Sequence, residues 1–116
     1  MALARAQRIP VQCEVEFTHE DGVTGQGTVF NLSAGGCAVQ SDTSVADNML
    51  VTLRLASSQG GAPIVIELGR VRWATRREFG VEFVMVLSKE QARLDHFLIT
   101  AASAPGSSGA QSAAAA

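Results

Sequence analysis

The sequence predicts an all-β domain, a six-stranded antiparallel β-barrel followed by one C-terminal α-helix. Three observations support this fold class. Apolar and polar residues alternate in several short runs, which is typical of strands with one buried face. Most of the connections between those runs are short and rich in polar residues and glycine, which favours antiparallel pairing. One later segment carries apolar residues at helical spacing instead. At 116 residues, the chain has the length of a single domain with its own core.

The first half of the chain predicts three strands. From Pro10 to Thr18, apolar residues alternate strictly with polar ones, so this strand has one buried side. A polar turn at 19–22 leads into a glycine-rich second strand from Val23 to Ser33, and the two strands form a hairpin. After Gly35-Gly36, residues 37–40 form a short third strand.

The second half predicts three more strands and a bulge. Alternating runs cover residues 49–56, 64–73 and 79–83. Within the middle run, the apolar phase shifts at Gly69-Arg70, so that Val71 and Trp73 continue the apolar face. A phase shift of this kind indicates a β-bulge.

A single helix is predicted after the last strand. Ser88 and Gln91 have the spacing of a capping box, and the apolar side chains that follow form one stripe along the helix: Leu94, Phe97, Leu98 and Ala101. We expect this stripe to pack over an open end of the barrel.

The chain is therefore divided into three parts. Residues 1–9 form an N-terminal arm that carries arginines, and residues 10–101 form the barrel and helix. Residues 102–116 contain only small residues, proline and glutamine. Such residues bury too little apolar surface to offset the conformational entropy that ordering would cost, so we predict a disordered low-complexity tail.

Composition excludes several function classes. The net charge is −2, so there is no overall attraction to nucleic acid or to an anionic membrane. No apolar run approaches the roughly 20 residues of a spanning helix, and the N-terminus lacks the apolar segment of a secretory signal. The sequence predicts a cytoplasmic protein with no nucleic-acid partner and no membrane insertion.

The sequence does not predict an enzyme or a metal protein. His19 and His96 have no nucleophile at a recognisable spacing, and there is no phosphate-binding loop or metal-ligand cluster. Cys13 and Cys37 stand singly in strand-like runs. In a cytoplasmic protein, two buried and reduced thiols are favoured over a disulfide.

The most informative segment is Asn31-Leu32-Ser33-Ala34-Gly35-Gly36, between the second and third strands. Its amide and hydroxyl can donate and accept hydrogen bonds, and paired glycines permit positive φ and a close approach of a ligand. These groups suit the recognition of planar edges and phosphates. The alternative is that Asn31, Ser33 and the glycines only satisfy backbone groups in a turn.

Three stretches in the same order resemble the PilZ domain family, small bacterial β-barrels of which many bind the second messenger cyclic di-GMP. They are Arg8-Ile9-Pro10-Val11, the segment Asn31-x-Ser33-x-x-Gly36, and Val71-Arg72-Trp73 followed by Phe79-Gly80-Val81-Glu82-Phe83 and the helix. The resemblance covers Arg5 to about Ala101 and implies a split-barrel fold.

The resemblance also implies a ligand site for cyclic di-GMP, with no other cofactor. Asn31 would bind a guanine edge, Ser33 would contact the guanine or a phosphate, and Gly35 and Gly36 would provide conformation and clearance. Trp73 matches a position where an aromatic residue can lie beside the ligand, although the sequence favours a core position for the only tryptophan.

The arginine motif departs from the family pattern. The family has two arginines spaced R-x-x-x-R on the N-terminal arm, which grip phosphates and guanine edges. Counted back from Arg8, the partner position holds Ala4, and the available arginine is Arg5. A flexible arginine side chain can recover part of this offset, so weakened binding is expected rather than none.

Two functions follow from the resemblance. In the first, the domain is a cyclic di-GMP receptor that converts the level of the messenger into a conformational or interaction change with a downstream protein, in motility, biofilm formation or a related output. In the second, it is a degenerate PilZ adaptor that works by protein contact in motility or type IV pilus machinery without binding nucleotide. Asn31, Ser33 and Gly36 favour the first, and Ala4 favours the second.

Overall fold

The computed structural model describes residues 8–57 and 61–103, with side chains as far as residue 101. It confirms a closed six-stranded barrel with one helix, in which every pair of neighbouring strands is antiparallel. The strand order around the barrel is β1-β2-β3-β6-β5-β4. The elements are β1 (Ile9–His19), β2 (Thr24–Ser33), β3 (Gly36–Gln40), β4 (Leu50–Leu55), β5 (Ile64–Ala74), β6 (Glu78–Met85) and α1 (Ser88–Ser103).

The core is formed by the apolar phase of each strand. In β1, the alternation directs Cys13, Val15 and Phe17 inward, where each is buried. Phe17 meets Phe79 of β6 edge to face, with ring centroids 5.1 Å apart. Such aromatic contacts add stabilisation beyond the area that they bury. The strands therefore close around a packed apolar interior.

Helix α1 packs against the barrel through its apolar stripe. Leu94 and Leu98 belong to the same buried cluster as the strand residues. The first helical turn is tied to strand β5 by Glu90, whose carboxylate accepts hydrogen bonds from the Val65 N–H and from Arg93 Nη1, both at 3.1 Å. The barrel and the helix therefore form one packed unit.

The predicted bulge is present, and it changes the position of Trp73. The β5–β6 register shifts between Leu68 and Gly69 and again between Val71 and Trp73. Val71 is fully buried, but Trp73 is 42% exposed. The expectation that Trp73 belongs to the core is therefore wrong. The second shift breaks the alternation, so Arg72 and Trp73 both lie on the outer face.

Both cysteines are buried and free, as predicted. Burial raises the pKa of the Cys13 thiol to about 11. It raises the pKa of Cys37 to about 12, against an opposing effect from the positive charge of Arg8. The two thiols therefore remain protonated at neutral pH.

Two predicted segments fall largely outside the described residues. Residues 1–7 of the arm, including Ala4 and Arg5, and residues 104–116 of the tail are not described. Arg8 precedes the first residue of β1. Among the described residues, no helix is long and apolar enough to cross a membrane.

Candidate ligand-binding site on the outer face of the barrel

The start of β1 and the end of β2 lie side by side, and this brings two predicted site residues together. Ile9 pairs with Leu32, and Pro10 pairs with Asn31. Arg8 immediately precedes this pairing, and its Nη1 donates a 2.8 Å hydrogen bond to Asn31 Oδ1. The arginine of the arm and the asparagine of the β2–β3 segment therefore form one polar pair on the surface.

A row of paired residues connects this polar pair to Trp73. Pairing by pairing, the row crosses five strands in the order Pro10, Asn31, Ala38, Gly80 and Trp73. Neighbouring strands are about 4.8 Å apart, so the path along the curved sheet from the asparagine to the tryptophan, three spacings, is about 14 Å. The outer surface of β3 and β6 thus connects the two residues.

Ala38 and Gly80 lie between the two ends of the row. Ala38 lies between the core residues Cys37 and Val39, so the alternation of the strand directs its methyl group outward. The same alternation directs the missing side chain of Gly80 outward. Both residues are nevertheless buried, Ala38 with only 3% exposed, so other side chains of the outer face cover them.

The indole of Trp73 is one of those covering groups. A Cβ atom added to Gly80 would lie 2.2, 2.6 and 3.0 Å from the indole atoms Nε1, Cε2 and Cδ1. All three atoms belong to the pyrrole ring, so that ring lies over the Gly80 backbone. One side of the indole packs on β6, and the exposed part of the residue remains open to solvent.

Ser33 is used within the turn between β2 and β3. Its hydroxyl accepts a 3.2 Å hydrogen bond from the Gly35 N–H and donates a 3.3 Å hydrogen bond to the Gly36 carbonyl. The residue is only 4% exposed. This geometry matches the turn interpretation of Ser33, and the ligand contact that the resemblance implies stays a prediction.

The two glycines of the segment act differently from what the sequence suggested. Neither Gly35 nor Gly36 has a positive φ, so the segment does not use the left-handed backbone that paired glycines permit. The turn closes through the Ser33 hydroxyl and the Ser33–Gly36 pair without it. Gly36 is required by packing, because a Cβ atom there would lie 2.6 Å from the Val81 carbonyl oxygen of β6. Gly35 is exposed, with open space around its Cα.

The site combines three groups that can recognise a nucleotide. Arg8 supplies a guanidinium, Asn31 an amide, and Trp73 an aromatic surface. Arg72, a possible extension of the basic surface, is paired with Glu82 at 3.4 Å, as expected for an outward charge on a strand. Among the described residues, no group of histidine, cysteine, aspartate and glutamate side chains could hold a metal ion.

Sequence reasoning missed Ala38 and Gly80. Each is a small residue at an outward position of a strand, which is visible in the sequence as soon as the inward phase is known. Their place between Asn31 and Trp73 depends on the strand order and register, and no single segment carries that information.

Known structures share this fold at low sequence identity. The PilZ domain of CeSA from a cellulose-synthesizing bacterium is 20% identical, with a TM-score of 0.66 over 81% of this chain and 96% of that chain. The PilZ domain of YcgR from Escherichia coli, solved with c-di-GMP, is 15% identical, with a TM-score of 0.68 over 92% and 97%.

A third structure with the same fold is the inhibitor of motility MotI/DgrA of Bacillus subtilis. It is 18% identical, with a TM-score of 0.65 over 87% of this chain and 52% of that chain, so this chain spans about half of its length. The comparison with curated proteins found no match. The model of the PilZ domain family matches residues 3–100. The chain therefore belongs to the PilZ domain family.

Proposed function

We propose that this domain is a receptor for cyclic di-GMP, which binds on the outer face of the barrel between the Arg8–Asn31 pair and Trp73. The 2.8 Å hydrogen bond from Arg8 to Asn31 is the observation that carries the proposal. This hydrogen bond holds the positive charge of Arg8 next to the Asn31 amide. The row of paired residues leads from Asn31 to Trp73. Arg5, three residues before Arg8 in the sequence, adds a second cation.

The chemistry of the three groups matches the ligand. Cyclic di-GMP presents phosphates and guanine bases, and a guanidinium binds both through its planar fork of donors. Arg8 uses one of the two lone pairs of Asn31 Oδ1, so the amide N–H donors and the second lone pair are left for a guanine edge. The exposed surface of the Trp73 indole can stack with a base, which typically contributes about 1–3 kcal/mol.

Relatives with the same fold support this ligand. YcgR of Escherichia coli and MrkH of K. pneumonia have both been solved with c-di-GMP. Those structures show what the fold can bind, and the residues on the outer face of this chain supply groups suited to the same ligand.

A conformational change caused by ligand binding can reach the rest of the domain through strand β6. The Phe83 N–H donates a 2.8 Å hydrogen bond to the Gly35 carbonyl, so the β2–β3 turn is attached to β6. Strand β6 ends at Met85, and α1 begins at Ser88. A ligand that shifts the turn would therefore shift the strand that leads into the helix, which offers a route to a downstream protein partner.

A second candidate is an adaptor that acts by protein contact, in motility or type IV pilus machinery, without nucleotide. Two observations favour it. Ala4 occupies the position of the second family arginine. The Ser33 hydroxyl has both of its hydrogen bonds within the turn. The inhibitor of motility MotI has the same fold.

Isothermal titration with cyclic di-GMP separates the two functions. The receptor predicts saturable binding by the full chain and no binding of GMP at the same concentrations. Arg8→Ala should weaken binding by about one to two decades, since a charge-assisted hydrogen bond contributes about 1.5–3 kcal/mol. Arg54→Ala is the matched control: Arg54 lies on β4, the one strand outside the row, 3.9 Å from Glu16. Absence of binding by the folded protein would select the adaptor.

A further inference from the structure

We propose that Gly80 is a positioning residue of the ligand site, because it allows the Trp73 indole to lie on strand β6 and so fixes the aromatic surface against which a base stacks. The inference rests on the proposed function, since it assigns a role in cyclic di-GMP binding to a residue that itself offers the ligand no side chain.

Gly80 and the Trp73 indole fit closely against each other. The nearest approach of an added Cβ to Trp73 is 2.2 Å, to Nε1. Ordinary carbon contacts are at about 3.5–4.0 Å, so the ring would have to retreat by more than 1 Å to admit even a methyl group. The position of the indole and the absence of a side chain at residue 80 therefore depend on each other.

The backbone of Trp73 has little freedom to absorb such a change. On one side, Val71 is fully buried and pairs with Val81. On the other side, Ala74 packs against the core and pairs with Phe79. Only the side chain can adjust, so an added methyl at Gly80 would turn the indole away from β6.

The position of the indole matters because the row of paired residues connects Gly80 to Asn31. Gly80 pairs with Ala38, and Ala38 pairs with Asn31, so the ring lies over a backbone position two strands away from Asn31. Base stacking on an aromatic ring contributes a factor of about 5 to 150 in affinity. A displaced ring would lose that factor while the polar pair stayed intact.

The chain offers a specific reporter and a matched control. Trp73 is the only tryptophan and there is no tyrosine, so intrinsic fluorescence reports this one side chain. Gly69 lies on the same strand as Trp73, and a Cβ there would meet Val81 Cγ1 at 2.5 Å. Gly69→Ala therefore strains the interior of the barrel without touching the indole.

The experiment compares the full-length wild type, Gly80→Ala and Gly69→Ala by iodide quenching of fluorescence and by calorimetric titration with cyclic di-GMP. We expect Gly80→Ala to fold, to show greater quenching than wild type, and to bind about 5- to 150-fold more weakly. We expect Gly69→Ala to lower the melting temperature while its quenching and affinity stay at wild-type values.

The outcomes distinguish the inference from the proposed function. If the wild type binds and Gly80→Ala binds within twofold of it, the positioning role is wrong and the receptor function stands. If the wild type does not bind, the receptor function fails and the role of Gly80 in it fails too. If Gly80→Ala does not fold, Trp73→Leu replaces it. A loss of affinity in the same range supports the indole as the surface on which a base stacks, and unchanged affinity overturns that role.

Discussion

Arg8 and Asn31 are 23 residues apart in sequence, and a 2.8 Å hydrogen bond joins the arginine Nη1 to the asparagine Oδ1. The contact follows from the register of β1 and β2, in which Pro10 lies opposite Asn31. Because Arg8 is held before any ligand arrives, less side-chain entropy is lost on binding. Asn31 therefore has two roles in the account, as a group that meets the ligand and as the anchor of the arginine.

The double role of Asn31 predicts non-additive substitutions. Arg8→Ala and Asn31→Ala should each weaken cyclic di-GMP binding, and the double variant should lose less than the sum. The interaction free energy should fall at about 0.5–3 kcal/mol, the range for residues in direct contact. Calorimetric titration of the four proteins measures it. Strictly additive losses would mean that the two side chains meet the ligand independently.

The offset arginine predicts a gain of affinity. Ala4→Arg would restore the family spacing to Arg8 and should tighten binding by up to about 3 kcal/mol if the new guanidinium makes a full charge-assisted bond. The gain should shrink as salt is raised, because salt screens exposed charge pairs. Titrations at low and moderate salt test this. If Ala4→Arg binds no more tightly at either salt, the arm does not approach the ligand as in the family.

The turn role of Ser33 predicts a loss of stability. Ser33→Ala removes the acceptor of the Gly35 N–H and the donor to the Gly36 carbonyl. Since the site is buried, the free energy of unfolding should fall by about 1–3 kcal/mol. Urea denaturation measures it, with the exposed Ser44→Ala as the control. A Ser33→Ala protein of wild-type stability that no longer bound cyclic di-GMP would instead show that the hydroxyl serves the ligand.

The buried cysteines predict a loss of stability in alkali. The pKa of Cys13 is raised from 9.0 to about 11, and that of Cys37 from 9.0 to about 12, mainly by burial in each case. Above pH 9 the unfolded thiols lose protons that the folded thiols keep, so rising pH favours unfolding. Each thiol should lower the free energy of unfolding by about 1.4 kcal/mol per pH unit in its window.

The composition makes this alkaline effect easy to isolate. The chain has no tyrosine, and Lys89 is its only lysine, so few other groups titrate in this range. Urea denaturation between pH 8 and pH 10.5 gives the slope. The double variant Cys13→Ala, Cys37→Ala should flatten it, and a slope unchanged in that variant would show that another group is responsible.

The sequence predicted the strands well because each has one buried face. In β1, strict alternation was enough to identify Cys13, Val15 and Phe17 as core residues. The phase shift after Gly69 also predicted a bulge correctly. It placed Trp73 on the apolar face with Val71, which is wrong, because a second register shift between Val71 and Trp73 turns the tryptophan outward.

The candidate site was only partly predictable, for a related reason. The chemistry of Arg8 and Asn31 is local, and the resemblance placed both in one site. The contributions of Ala38 and Gly80 come from neighbours on other strands, which only the assembled register reveals. Gly35 and Gly36 do not use the left-handed backbone that glycine permits, because the Ser33 hydroxyl closes the turn with ordinary φ values.

The most direct test of the account is the map of backbone and indole N–H resonances in an NMR titration with cyclic di-GMP. Binding on the outer face predicts the largest shifts at Asn31, Gly80 and the indole N–H of Trp73, with β4 (Leu50–Leu55) unchanged. Shifts concentrated on β4 and α1, or none at saturating ligand, would contradict it.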